Sequence, residues 1–145
     1  MIGVILTGHG SFATGLFQAA TQIIGEQIQF SAVDFPDGMS SEQLEQQLKA
    51  SLKSNDTGEG VIFLTDIVGG SPFKLSATLS FEFEKIEVIS GINMPLLLEI
   101  LLQRDELDLQ TLRLKIVENA DKSISSLWHE QQKKSTYEKE CSDGI

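Results

Sequence analysis

The sequence predicts an α/β fold, a predominantly parallel open sheet with helices on both faces. Two observations carry that expectation. Short apolar runs alternate with helical stripes along the chain, and three distinctive loops, "TGHGS", "TDIVGGSP" and "SGINMP", would all leave the carboxyl ends of strands. Functional groups gather at that edge of such sheets.

Ile2–Leu6 reads as a buried first strand. From Thr14 the apolar residues Leu16, Ala19, Ala20, Ile23 and Ile24 recur at helical spacing, and Gly25 ends the stripe. Ile28–Phe35 is the second strand, closed by the turn Pro36-Asp37-Gly38. Ser40 and Gln43 have capping-box spacing, with Met39 and Leu44 at the staple positions. Leu44, Leu48 and Leu52 give the next helix its apolar face, to Ser54. Val61–Leu64 is a central strand, followed by a glycine loop and a helix with Ser71 as N-cap and Pro72 at its first position. Ile86–Ile89 is the fourth strand, and Pro95 opens the helix after it. Leu109, Leu112, Ile116 and Val117 mark another helix. "SISSLW" fits either continued helix or a short edge strand, and the segment after it reads as a loose polar tail.

Composition narrows the function classes. At 145 residues the chain is sized for one domain. Hydrophobic residues at 41% give an ordinary globular balance. No segment reaches the ~20 apolar residues of a membrane span, and no basic region precedes the first apolar run, so no secretory signal is expected. Twenty-one acidic against eleven basic residues give a net charge of -10. That disfavours nucleic acid and anionic membrane, and it would speed encounter with an electropositive protein. The single cysteine, Cys141, reads as an exposed thiol, which suits the cytoplasm.

The chemistry concentrates at the strand ends. Gly8 and Gly10 strip bulk from both sides of His9 and leave its imidazole accessible. His129 has no such setting and reads as a surface residue. Asp66 would emerge beside His9 if the two strands are neighbours. A carboxylate on one imidazole nitrogen fixes the tautomer and frees the other nitrogen as base or nucleophile, the lesser alternative being that Asp66 only caps a loop or helix. Thr7 and Thr65 could hydrogen-bond in the same pocket. Gly69, Gly70 and Ser71 form a turn entering a helix, where exposed amides can hold an anion. Ser71 can add a hydroxyl to that anion or cap its own helix. Lys74, inside the helix, is the nearest lysine.

Other chemistries fit poorly. His9, Asp66 and Asp34 fall short of a dense metal-ligand set. Neither Ser11 nor Ser71 stands in GxSxG, and the nucleotide patterns GxxxxGK[ST] and GxGxxG are missing. A histidine nucleophile, an orienting carboxylate and anion-binding amides together suit phosphoryl relay.

At these residues the sequence resembles the enzyme IIA component of the mannose family of bacterial phosphoenolpyruvate-dependent sugar phosphotransferase systems. "TGHGSFATGL", "TDIVGGSPF" and "SGINMPLLLE" carry the resemblance, in the family's order and spacing. It implies that His9 accepts phosphate from HPr and passes it to enzyme IIB. Asp66 then orients and polarises His9, Ser71 lies near the phosphate, and Gly69 and Gly70 are the glycines of that loop. It also implies a homodimer in which an antiparallel edge strand is exchanged, favouring the strand reading of "SISSLW". Membrane components are met through protein contacts, and no nucleotide, metal or organic cofactor is needed.

The enzyme IIA domain is assigned to residues 1–130, with 131–145 as a polar C-terminal tail. No IIB-type linker and second domain follow, so a stand-alone IIA subunit is expected. Val68 stands where mannose-type members often carry a large aromatic, which leaves the sugar branch open. The alternatives are a phosphoryl donor to a dihydroxyacetone kinase and a non-catalytic regulatory binding protein. The transported sugar is not readable here, because membrane and IIB components hold it.

Overall fold

A computed structural model describes residues 1–143. Its strands β1 (Gly3–His9), β2 (Phe30–Phe35), β3 (Val61–Thr65) and β4 (Ile86–Ser90) all pair in parallel, in the order β2-β1-β3-β4. The side chains alternate between two cores, as the strand period requires. Ile2, Val4 and Leu6 join Ile62, Leu64 and Ile89 on one face. Ile5, Val33, Val61 and Phe63 lie on the other. Both faces are covered, which is why β1 and β3 read as nearly unbroken apolar runs.

Helices α1 (Phe12–Ile24), α4 (Met94–Gln103) and α5 (Leu109–Glu118) pack on the first face. Helices α2 (Ser41–Asn55) and α3 (Ser71–Glu82) pack on the second. The chain therefore leaves β1 over one face and returns to β3 over the other. That change of side opens a crevice between the carboxyl ends of β1 and β3, the usual place for a ligand in such a sheet.

The end signals act as the sequence suggests, with one shift. In the capping box, the Gln43 amide donates to the Ser40 hydroxyl and the Ser40 amide to Gln43 Oε1. Asn93 and Asp108 cap α4 and α5 through the amides of Leu96 and Thr111. Gly25 takes φ 83° at the end of α1. The shift is at α3, where Gly70 holds the cap position and Ser71 lies already inside the helix. Ser71 is not the N-cap.

The C-terminal region differs more. "SISSLW" forms no edge strand within this chain. A short 3₁₀ turn, Ala120–Ser123, is followed by extended Ile124, and the Ser126 hydroxyl then accepts the His129 amide and starts a helix. Capping at Ser126 thus diverts Leu127 and Trp128 into α6 (Leu127–Asp143). The polar stretch read as a loose tail is helical from its start through Asp143, while Gly144 and Ile145 lie outside the described residues. The Cys141 thiol is likewise outside the described side chains.

Arg104 gave no signal in the sequence. It ends α4 and is only 1% exposed. Its guanidinium donates to the carbonyls of Ile2 (3.2 Å), Gln29 (2.8 Å) and Ile28. Burial lowers its pKa, and the nearby Asp105 partly offsets that. The cation ties the first helical layer to the entry of β1 and β2. Arg104→Met would keep the packed stem and leave three carbonyls without that donor. Urea unfolding should show a loss of about 2–4 kcal/mol.

Candidate functional site

The register between β1 and β3 places Thr7 opposite Thr65. His9 and Asp66 therefore emerge from neighbouring strands at nearly the same height. The His9 backbone amide donates to Asp66 Oδ2 at 2.9 Å, and His9 Nδ1 meets the same oxygen at 2.7 Å. The second carboxylate oxygen accepts the Ile67 amide at 2.9 Å. With a carboxylate as acceptor, Nδ1 carries the proton and Nε2 keeps its lone pair. The His9 side chain is 47% exposed and that of Asp66 only 15%. The pair thus offers one imidazole edge to solvent while its orienting group stays inside.

Burial pushes the Asp66 carboxyl up. The His9 amide, the His9 ring and the Ile67 amide outweigh that effect and hold its pKa below the ordinary carboxylate value. The ionised form that orients His9 is therefore the favoured one.

Each glycine beside His9 has its own reason. A Cβ on Gly8 would lie 2.4 Å from the Phe12 ring and 3.1 Å from the Asp66 carboxylate carbon. Gly10 takes φ 58°, which turns its amide onto the Phe35 carbonyl at 3.0 Å. Phe35 also presents its ring to His9 edge-on, with centroids 5.8 Å apart. Across the site, a Cβ on Gly70 would lie 2.7 Å from His9 Cε1 and 3.4 Å from Nε2. Gly70 therefore lets the start of α3 close against the imidazole, and Gly69 makes the approach at φ 84°. The amides of Gly70, Ser71 and Phe73 belong to the first turn and have no intrahelical acceptor, whereas Pro72 contributes none.

The structure thus brings His9, Asp66 and Gly70 together and sets Gly69 and Ser71 beside them. Other residues named from the sequence go elsewhere. Thr7 and Thr65 are fully buried, and their hydroxyls have no hydrogen-bond partner, so they do not join the pocket's network. Asp34 is committed to α1, accepting the Thr14 amide at 3.0 Å and the Thr14 hydroxyl at 2.7 Å. It caps that helix from another strand. Lys74 is exposed within α3, and its amide donates to the Gly70 carbonyl. Among the described residues no cluster of three or more His, Cys, Asp or Glu side chains could hold a metal ion. No helix among them is long and apolar enough to cross a membrane.

Sequence reasoning missed Phe35, Phe12 and the capping role of Asp34. The aromatic rings lie close to the glycine loop, but nothing in their spacing announces that contact.

Comparisons with known proteins agree with this fold. A family model described as "PTS system fructose IIA component" matches residues 3–117. The chain is 38% identical over 133 residues to an Escherichia coli protein named for a phosphotransferase enzyme IIA component, YadI, covering 92% of this chain and 91% of that one. It is 36% identical over 112 residues to the fructose-specific EIIA component of Bacillus subtilis, 77% of each chain. The crystal structure of a phosphotransferase system EIIA component from Streptococcus agalactiae superposes with a TM-score of 0.80 at 31% identity, over 87% of this chain and 97% of that one.

Two tests address the geometry without any assay of activity. Gly70→Ala should push the imidazole off Asp66, weakening the hydrogen-bonded His9 Nδ1 proton signal in a ¹⁵N-resolved NMR spectrum. An unchanged signal would show that the start of α3 can retreat. The second test uses pH. A carboxyl with a lowered folded-state pKa adds stability above its unfolded value of about 3.9 and loses it as pH falls through the folded value. Unfolding free energy should therefore decline on acidification, and less steeply in Asp66→Asn.

Proposed function

The chain belongs to the enzyme IIA family of the phosphoenolpyruvate-dependent sugar phosphotransferase systems, and from that premise we propose that it is a phosphohistidine carrier charged by HPr and discharged by an enzyme IIB. Phosphoryl transfer in sugar uptake is the family's role. The observation that carries the finer reading is the 2.7 Å contact of His9 Nδ1 with Asp66, which leaves Nε2 as the free nucleophile.

In the charging step the Nε2 lone pair attacks phosphorus, and the new N–P bond forms as the donor's N–P bond breaks. The Nδ1 proton stays in place, and Asp66 stabilises the positive charge that develops on the ring. The amides of Gly70 and Ser71, together with the Ser71 hydroxyl, support the phosphoryl oxygens at the positive end of α3. Gly69 and Gly70 permit that approach. Discharge runs the same step in reverse toward the acceptor nucleophile. No cofactor takes part. Residues 1–130 serve as the carrier domain of a cytoplasmic homodimer, with the polar 131–145 segment appended.

Incubation with phosphoenolpyruvate, enzyme I and HPr should place phosphate on His9, and His9→Ala should abolish labelling with the fold retained. Asp66→Asn should slow charging by about 10²-fold or more, since the amide neither enforces the tautomer nor stabilises the cation. Absence of label from His9 with active carriers would overturn the reading. Discharge to purified IIB candidates, compared with a dihydroxyacetone kinase, would identify the acceptor.

A further inference from the structure

The loop after β4 braces the site. The Gly91 amide donates to the Asp66 carbonyl at 3.1 Å, and the Ile92 amide to the Thr65 carbonyl at 3.2 Å. The backbone that carries the orienting carboxylate is therefore held by residues 91 and 92. β4 is the outer strand of the sheet, so among the described residues of this chain no further strand fixes that loop in turn. It is anchored by Ile92, buried in the core, and by Asn93.

Asn93 uses both ends of its side-chain amide. Its Oδ1 accepts the Leu96 amide at 3.1 Å, which caps α4. Its Nδ2 donates to Ser123 Oγ at 2.8 Å, across 30 positions of sequence. The same hydroxyl donates to the Ala120 carbonyl at 2.6 Å. One oxygen thus accepts from Asn93 and donates within the 3₁₀ turn, so both of its roles are filled. Capping α4 needs only Oδ1. The Nδ2 bond instead fastens the loop behind Asp66 to residues 120–123. That link reaches past residue 117, where the match to the family model ends. Beyond Ser123 the chain turns outward, with Ile124 and Leu127 exposed.

We infer that Asn93 and Ser123 are positioning residues for His9. They act through the Gly91–Asp66 and Ile92–Thr65 bonds, which keep the Asp66 carboxylate at the height of the imidazole. One oxygen of that carboxylate has to meet both the amide and the ring of His9, so it tolerates little displacement. Misalignment of a reacting group costs rate more than binding. The effect on transfer rests on the carrier reading above, whereas the effect on the His9–Asp66 hydrogen bond does not.

Ser123→Ala removes the link and leaves the cap of α4 in place. The His9 Nδ1 proton signal should weaken and move upfield. The kcat for charging by phosphorylated HPr should fall about threefold or more, with KM nearly unchanged. Ser123→Thr keeps a hydroxyl and should restore both readouts. Ser40→Ala serves as the control, because it removes the capping hydroxyl of α2 on the other face of the sheet. It should lower stability to urea and move neither readout. An unchanged Nδ1 signal in Ser123→Ala would overturn the inference. So would the same two changes in Ser40→Ala, which would trace them to lost stability. A raised KM at unchanged kcat would assign residues 120–123 to donor binding, against positioning. If wild type is not labelled at His9, the carrier reading falls, and the Nδ1 signal still decides whether Ser123 positions the pair.

Discussion

Pairing of β1 with β3 in parallel, Thr7 opposite Thr65, is the constraint from which the rest of the site follows. A shift of one residue would carry His9 away from Asp66 and turn each β1 side chain to the wrong face of the sheet. The register is held by burial on both faces, since Val4 and Leu6 belong to one core and Ile5 to the other. At the opposite edge Arg104 binds the carbonyls of Ile2, Ile28 and Gln29, which ties the entry of β1 to that of β2. Core packing on both faces thus fixes the separation of His9 and Asp66. Beyond the pair, the Asp66 carbonyl accepts the Gly91 amide and the Thr65 carbonyl accepts the Ile92 amide, so the third loop braces the second.

Much of this was legible in the sequence because it is written in local patterns. The apolar runs, the Ser40–Gln43 box and the turn at Gly25 need only near neighbours, and all three form as read. His9 and Asp66 stood out because each follows an apolar strand at a glycine-bearing or turn-like loop. Contacts across long sequence separation left no such trace. Gly70 looked like a phosphate-loop glycine, but its lack of a side chain also answers to an imidazole sixty-one positions earlier in the chain. Asp34 stands near the end of its strand much as His9 does, yet the hydrogen bonds that claim it come from Thr14 on α1. "SISSLW" was ambiguous because β-propensity and a capping serine compete over the same few residues. Within one chain the cap prevails.

The site also shows what the fold accepts in order to hold it. Thr7 and Thr65 sit fully buried at the strand ends with hydroxyls that meet no acceptor. Such groups usually destabilise by about 1–3 kcal/mol each. A carboxylate held largely inside adds to the cost, offset by three N–H donors. Local instability of this kind is common where a protein keeps reactive groups in place.

Asp66 Oδ2 is used twice, and that fixes how the imidazole is presented. One oxygen holds both the amide and the ring of a single histidine, so the side chain is pinned to its own backbone. The rotational entropy of that histidine is lost once, during folding, and not again at each encounter. On the carrier reading proposed above, the histidine would present the same nitrogen along the same direction to donor and acceptor alike. Each partner would then have only to bring its own reacting atom into line.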